Sequence, residues 1–307
     1  MDILGAIGNT SLVQLRRVAP PGGADIFVKF EGQNPTGSMK DRMALAVITR
    51  AEQDGRLKPG DTVVEYTGGS TGASLALVCA AKGYRLRIVT SDAFSREKRD
   101  QMAALGAELI LVPSEGGLST RKLFLEMIET ARALSGEPHT HWNDQLNNRD
   151  SIAGYFPLAE EILTQCEGRV DAFVHSVGTA ASLRGVATAL KGRDAKTKII
   201  GVEPAESPVL GGGPPGAHMI EGIGIGFTPP LWDPMLVDRI EAVSTDAAKA
   251  MARRLAREEG VFAGTSSGAN VVAAIRLAGQ LGPGARVVTL ACDSGLKYVN
   301  TDVYRSG

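Results

Sequence analysis

The sequence predicts an α/β protein built as two lobes of parallel-rich sheet flanked by helices. Three observations predict it. Short apolar runs rich in Val and Ile alternate with amphipathic stretches of helical period, a pattern that gives parallel sheets covered on both faces. A weak internal repeat relates Val64–Gly83 to Val174–Gly192, each reading strand, small-residue loop, helix and then Lys-Gly. The chain's 307 residues, 43% of them apolar, suffice for two lobes or one large α/β unit.

Taken in order, Ile26–Phe30 alternates as a strand. Asn34-Pro35-Thr36-Gly37 reads as a tight turn and Ser38 as a helix N-cap. Met43, Ala44, Val47 and Ile48 then share one helical face, and Glu52–Gly55 ends that helix. Thr62–Tyr66 is a buried strand, followed by Thr67-Gly68-Gly69-Ser70-Thr71-Gly72 and an apolar helix to about Lys82. Arg85–Thr90 is a strand, Ser95 caps a charged helix stopped by Gly106, Glu108–Val112 is a strand, and residues from Ser119 to Leu134 are helical. An irregular passage around His141–Asn148 leads into a helix ending near Cys166. Ala172–Val177 is a strand that runs into Gly178-Thr179-Ala180-Ala181-Ser182 and a helix to Leu190, and Lys198–Val202 is another strand. Helices over Asp246–Glu259, capped by Ser244 or Thr245, and Ala269–Leu281 precede the last strand, Arg286–Ala291.

Composition narrows the function. A net charge of −1 gives no footprint for nucleic acid or an anionic membrane. The apolar runs are too short for a membrane span and the N-terminus lacks a signal-peptide pattern, so a soluble, cytoplasmic protein is expected. Cys79, Cys166 and Cys292 lie far apart, which suits neither a disulfide framework nor a zinc site. His139, His141 and Asp144 do not make a metal-ligand spacing, and no metal is expected. The 37 glycines cluster in short loops, as they do where backbone approaches a ligand. No G-x-S-x-G hydrolase elbow occurs, and Ser38-Met39 stands where a P-loop requires Gly-Lys-Ser/Thr. Gly68–Gly72 with Asp92 beyond it suggests a dinucleotide site, but the glycine spacing departs from G-x-G-x-x-G. A nucleotide-binding protein is therefore a distant alternative.

The chemistry centres on Lys40. It falls in the first turn of its helix, where the positive end of the macrodipole disfavours a cation. A neutral amine is what a lysine needs to attack a carbonyl and form a Schiff base. The two repeat units each offer a helix start, and helix starts hold anions. A ligand with a phosphate at one end and a carboxylate at the other would suit such a pair.

Asn34-Pro35-Thr36-Gly37-Ser38-Met39-Lys40-Asp41-Arg42 resembles the cofactor-lysine motif of fold-type II pyridoxal-phosphate enzymes, and more narrowly of the cysteine synthase and cystathionine β-synthase family. The resemblance extends nearly end to end, through Thr67–Gly72, Val177-Gly178-Thr179, Val202-Glu203-Pro204, Ser207–Leu210, Glu221–Phe227, Gly264–Ala269 and Asp293-Ser294-Gly295. It implies pyridoxal 5'-phosphate bound through Lys40, with the phosphate on Gly178, Thr179, Ala181 and Ser182 and the pyridine nitrogen on Ser294. Thr67, Gly68, Gly69, Ser70 and Thr71 would hold the α-carboxylate of an amino-acid substrate, and Gly222 and Ile223 would line its pocket. Two departures stand out. Ser70 replaces the usual Asn that contacts the cofactor ring, and His141 stands where the family has Gln before an aromatic residue. Both are expected to alter reach, pH response and substrate preference.

The resemblance also implies a smaller, partly mobile lobe at 35–143, a larger one made of 1–34 and 144–307, and the cofactor in the cleft between them. The helix near Ser95–Ala104 resembles the part that closes over substrate. The implied reaction is β-replacement on a serine derivative such as O-acetylserine, with a small nucleophile, giving cysteine or a cysteine-like amino acid. The alternative is β-elimination from cysteine, a cysteine desulfhydrase. A homodimer is expected.

Overall fold

The computed structural model describes residues 2–117 and 120–305, so the expected helix start at Ser119 lies outside the described residues. In chain order the strands are β1 (Leu12–Leu15), β2 (Asp25–Phe30), β3 (Thr62–Tyr66), β4 (Arg85–Ser91) and β5 (Glu108–Val112). They continue as β6 (Thr140–Trp142), β7 (Ala172–Ser176), β8 (Lys198–Pro204), β9 (Arg239–Val243) and β10 (Arg286–Ala291). The helices are α1 (Lys40–Gln53), α2 (Ser70–Lys82), α3 (Arg96–Ala104), α4 (Arg121–Ser135) and α5 (Asp150–Ala153). They end with α6 (Phe156–Gln165), α7 (Ala181–Arg193), α8 (Thr245–Arg254) and α9 (Thr265–Leu281). No described helix is long and apolar enough to cross a membrane.

The chain divides into two compact units. One is Lys40–Gly154 with the segment up to Ile7; the other is Gly8–Met39 with the chain from Tyr155 onward. The expected boundaries at 35 and 143 move for physical reasons. Residues 37–39 are tied into the second unit: Met39 N–H donates to Cys292 O, Ser294 N–H donates to Gly37 O, and Ser38 bridges Asp293. Residues 144–154 belong with the first: Gln145 N–H donates to Glu65, and Arg56 pairs with Asp150.

The first unit holds a four-stranded parallel sheet in the order β5-β4-β3-β6. Every residue of β3 is buried, as a central parallel strand requires. The second unit holds a six-stranded sheet, β1-β2-β10-β7-β8-β9, parallel except for the antiparallel β1–β2 pair. Here β7 is wholly buried, and α9 packs its Ala and Val face against the same core.

Three strands went unread in the sequence, β1, β6 and β9. All three are sheet edges and mostly only half-buried. An edge strand need not be an apolar run, which removes the signal that marks a central one. The single helix expected to end at Cys166 is instead two, α5 and α6. Gly154, between them, lies against α1 so closely that a Cβ there would meet Arg42 O at 2.9 Å, and Pro157 opens the new helix.

Candidate active site

In an open parallel sheet, ligands bind beyond the carboxyl ends of the strands where strand order reverses. In the four-stranded sheet, β4 and β5 lie to one side of β3 and β6 to the other. In the six-stranded sheet, β8 and β9 lie to one side of β7 and β10 to the other. The topology therefore singles out the segments leaving β3, β6, β7 and β10.

In the first unit, the segment after β3 is Thr67–Gly69, and Ser70 opens α2. Its two glycines, and Gly72 in the first turn of α2, lie beneath one face of α3 and its lead-in. A Cβ on Gly68 would come within 2.6 Å of the Phe94 ring, one on Gly69 within 2.5 Å of Lys98 Cδ, and one on Gly72 within 2.2 Å of Met102 Sδ. Phe94, Lys98 and Met102 are spaced i, i+4, i+8, so α3 and its lead-in cover the loop with a single stripe. The loop's own bonds close it: Gly69 N–H donates to Thr67 Oγ1 at 3.1 Å and Gly72 N–H to Gly69 O at 2.9 Å.

The segment after β6 contributes a residue that sequence reasoning missed. Gln145 Oε1 accepts from Thr71 Oγ1 at 2.9 Å and its Nε2 donates to Tyr66 O at 2.8 Å. Behind it stands Glu65, fully buried in β3. Glu65 Oε2 accepts from Gln145 N at 2.9 Å and Asn143 Nδ2 at 2.6 Å, and Oε1 accepts from Tyr66 N at 2.9 Å. Burial pushes the Glu65 carboxyl up to about 7 against the pull of those three donors, with Asp144 adding repulsion.

His141 is a correction. Its Cα pairs with Val63, four residues short of Thr67, so it lies about 13 Å back along the sheet from the loop it was expected to serve. Its Nε2 is buried without a hydrogen-bond partner. Burial and then Arg56 lower its pKa, and its other charged neighbours, Asp54, Asp61 and Asp150, precede or flank the amino end of β3. Gln145, followed by Leu146 in place of the aromatic residue, occupies the position that His141 was expected to take.

In the second unit, Val177–Ala180 links β7 to α7, whose first residues are Ala181 and Ser182. A Cβ on Gly178 would lie 2.4 Å from Gly222 O, and Gly224 N–H donates to Val177 O at 3.0 Å. This brings the expected phosphate loop and the expected substrate-lining residues Gly222 and Ile223 together. Gly222, Gly224 and Gly226 all have positive φ, which explains the alternating glycines of that segment. Thr179 lies in the same turn. Ser182 is buried, and its Oγ is 2.8 Å from Nε2 of a second unpredicted residue, His175.

The segment after β10 carries Ser294. Its N–H donates to Gly37 O at 2.9 Å, its Oγ accepts from Leu296 N at 3.3 Å, and its backbone bridges Ala263. Next to it, Asp293 Oδ2 accepts from the Tyr298 hydroxyl at 2.7 Å. Three residues along the chain from Gly37, Lys40 opens α1, half-buried. Ser38, two residues before the helix, bridges Asp293 through its backbone. Asp41 is buried, accepting from Ser74 Oγ at 2.5 Å.

This donor set suits pyridoxal 5'-phosphate. The first unit offers the Lys40 amine at a helix start; the second, by itself, offers α7 N–H groups that lack intrahelical acceptors and the hydroxyls of Thr179, Ser182 and Ser294.

Comparison with known proteins places the chain. Residues 3–293 match the family described as pyridoxal-phosphate dependent enzymes. The chain is 42% identical over 306 residues to a cysteine synthase of Staphylococcus aureus, covering 99% of this chain and 96% of that one. Among solved structures, cysteine synthase from Entamoeba histolytica superposes with a TM-score of 0.91 at 37% identity, covering 100% of this chain and 91% of that one. A hydrogen sulfide-producing enzyme from Fusobacterium nucleatum does so with 0.89 at 36% identity, covering 97% and 99%.

Proposed function

The chain belongs to the pyridoxal-phosphate-dependent enzymes, and from that premise we propose that it replaces the β-substituent of a serine derivative such as O-acetylserine with a small nucleophile, giving cysteine or a cysteine-like amino acid. The observation that carries the reading is the pair of donor-rich helix starts, α2 and α7, each leaving a central strand at its sheet's reversal point. The two anion sites match an amino-acid carboxylate and a phosphate ester.

When bound, pyridoxal phosphate supplies the electron sink that weakens the substrate's Cα–H bond and allows the β-substituent to leave. The rest is the protein's own work. Lys40, at the start of α1 where the dipole disfavours a cation, would hold the cofactor through its aldehyde and, when free, would serve as the base for the Cα proton. Gly178, Thr179, Ala181 and Ser182 bind the phosphate. Ser294 would meet the ring nitrogen with a neutral hydroxyl, which would not keep that nitrogen protonated as a carboxylate would; this would favour loss and replacement at Cβ over transamination. Thr67, Gly68, Gly69, Ser70 and Thr71 bind the substrate carboxylate, with Gln145 holding Thr71. Gly222 and Ile223 wall the pocket. The enzyme is read as a cytoplasmic homodimer on family resemblance.

Net β-elimination is the second reading, favoured by the likeness to a hydrogen sulfide-producing enzyme. It uses the same residues and differs in whether water or a thiol completes the reaction. Purified protein should be yellow, and Lys40→Ala should lose the covalent attachment and at least about a thousandfold in turnover. Incubation with O-acetylserine and sulfide should yield cysteine. Pyruvate as the main product in the presence of sulfide would decide for elimination.

A further inference from the structure

We propose that His175 is a positioning residue for the phosphate end of the cofactor: it donates from Nε2 to Ser182 Oγ and so leaves the Ser182 hydroxyl proton to be given to a bound phosphate oxygen. The proposal rests on the reading of Gly178–Ser182 as the phosphate loop.

His175 is fully buried at the last-but-one position of β7, directly before that loop. Nε2 lies 2.8 Å from Ser182 Oγ, and Nδ1 lies 3.4 Å from Nδ2 of Asn270. Asn270, itself fully buried on α9, decides which ring nitrogen carries the proton. Its Oδ1 accepts from Ser176 N–H at 2.7 Å and its Nδ2 donates to Leu290 O at 2.9 Å. Both partners are backbone groups of fixed polarity, so the amide cannot be flipped without setting donor against donor and acceptor against acceptor. The edge of Asn270 that faces His175 is therefore an N–H edge. Cys292 Sγ, also 3.4 Å from Nδ2, can take the same hydrogen, but an Nδ1–H would in either case point at a donor, so the ring proton is assigned to Nε2.

The consequence falls on Ser182. A hydroxyl that accepts from an imidazole N–H still has its own proton to place. A phosphate ester offers acceptors only, so the hydroxyl must donate to it. With the opposite tautomer, Ser182 would give its proton to His175 and turn lone pairs toward the anion. Asn270, His175 and Ser182 thus form a relay of donors running from Leu290 O to the start of α7, and the backbone fixes its direction.

The tautomer can be read directly in the wild-type apoenzyme by 15N NMR of the His175 ring, which should report a protonated Nε2; a protonated Nδ1 overturns the proposal. Titrating apoenzyme with pyridoxal phosphate, His175→Leu should weaken binding about tenfold or more and shift the 31P resonance of the bound phosphate. His175→Gln, which keeps an N–H donor, should recover most of both. In a Ser182→Ala background the His175→Leu change should add little. An equal loss in that background means that His175 acts only by packing, and overturns the proposal while sparing the phosphate-loop reading. Unchanged affinity in Ser182→Ala alone overturns that reading itself, and the proposal with it, whatever the tautomer. Should His175→Leu fail to fold, the wild-type NMR measurement and the Gln variant still decide.

Discussion

The two strand–loop–helix units, β3 to α2 and β7 to α7, share a plan down to one position. At the last-but-one residue of each strand a buried polar side chain follows a pair of apolar ones, Glu65 after Val63-Val64 in one and His175 after Phe173-Val174 in the other. Both are fully buried and both support the loop that follows. They do it differently. Glu65 works as a carboxylate, gathering N–H groups from Tyr66, Asn143 and Gln145. His175 works through a hydroxyl, with its proton fixed by Asn270. A buried carboxylate costs charge desolvation and so titrates near neutrality, whereas an imidazole locked by an amide keeps one donor direction. The same element thus becomes responsive to pH in the half that would receive a transient substrate, and has a set hydrogen-bond direction in the half that would hold a resident cofactor.

Of the changes that separate the two halves, those at the glycines should have the largest effects. In Gly178→Ala the new methyl would sit 2.4 Å from Gly222 O, a backbone atom with no side-chain freedom to swing aside. Overpacking of that kind costs about 1–3 kcal/mol or more, so apoenzyme titration should show pyridoxal phosphate binding weakened about a hundredfold. In Gly69→Ala the obstacle is Lys98 Cδ, part of a flexible side chain that can move. There the cofactor should stay bound within about threefold, while the substrate KM rises because Lys98 shifts over the loop. Equal damage to cofactor binding in both variants would break the distinction between the halves.

Glu65 gives the next effect, and its sign follows from burial. Its carboxyl is raised from 4.5 to about 7. Across that window the folded chain holds a proton that the unfolded chain has released, so the residue's contribution to stability falls as pH rises from 4.5 to 7 and levels off above. The fall is on the order of 3 kcal/mol at most. Urea midpoints from pH 5 to 8 should show Glu65→Gln gaining on the wild type through this window; parallel curves would refute the assignment. Substrate binding should respond in the opposite sense. Above pH 7 the carboxylate takes all its N–H donors and holds Gln145 on Thr71. Below it, the acid must place its own proton, and the clamp loosens. KM for the amino acid should therefore rise as pH falls through 7, and cofactor affinity should not follow. Gln145→Ala should raise KM about tenfold and abolish that pH dependence.

Most of this architecture was legible because central parallel strands are written as unbroken apolar runs. Val63-Val64 and Phe173-Val174 announce β3 and β7, and Ser244 announces α8, its hydroxyl accepting from Ala247 N–H. Edges β1, β6 and β9 carry no such run and passed unread. In the site, Lys40 was recoverable because a turn and a helix start frame it. Gln145 was not, because His141-Trp142 offers the aromatic neighbour that the family pattern leads one to seek, while Gln145 is followed by Leu146. Only the register of β6 on β3 shows that the first pair is four residues too early. Glu65 and His175 were visible all along as polar residues inside apolar runs. Their roles depend on partners 78 and 95 residues away, Asn143 and Asn270, which periodicity does not reveal.

The smallest effect concerns how each loop enters its helix. The first half does so through a glycine, Gly69, and the second through Ala180, a non-glycine at φ +70°. That conformation costs an L-residue about 1–2 kcal/mol. Ala180→Gly would relieve it but would add roughly 0.5–1 kcal/mol of chain entropy to the unfolded state. The two nearly cancel, so thermal unfolding of the variant should move by no more than about 3 °C and cofactor affinity by less than about twofold. The position of the Ala180 backbone is set by its neighbours, through Gly178 on Gly222 and Gly224 N–H on Val177 O, and not by its own preference. A loss well beyond that range would mean that the Ala180 methyl, 2% exposed, is itself part of what shapes the loop, and that the second half is held by packing as well as by its hydrogen-bonded relay.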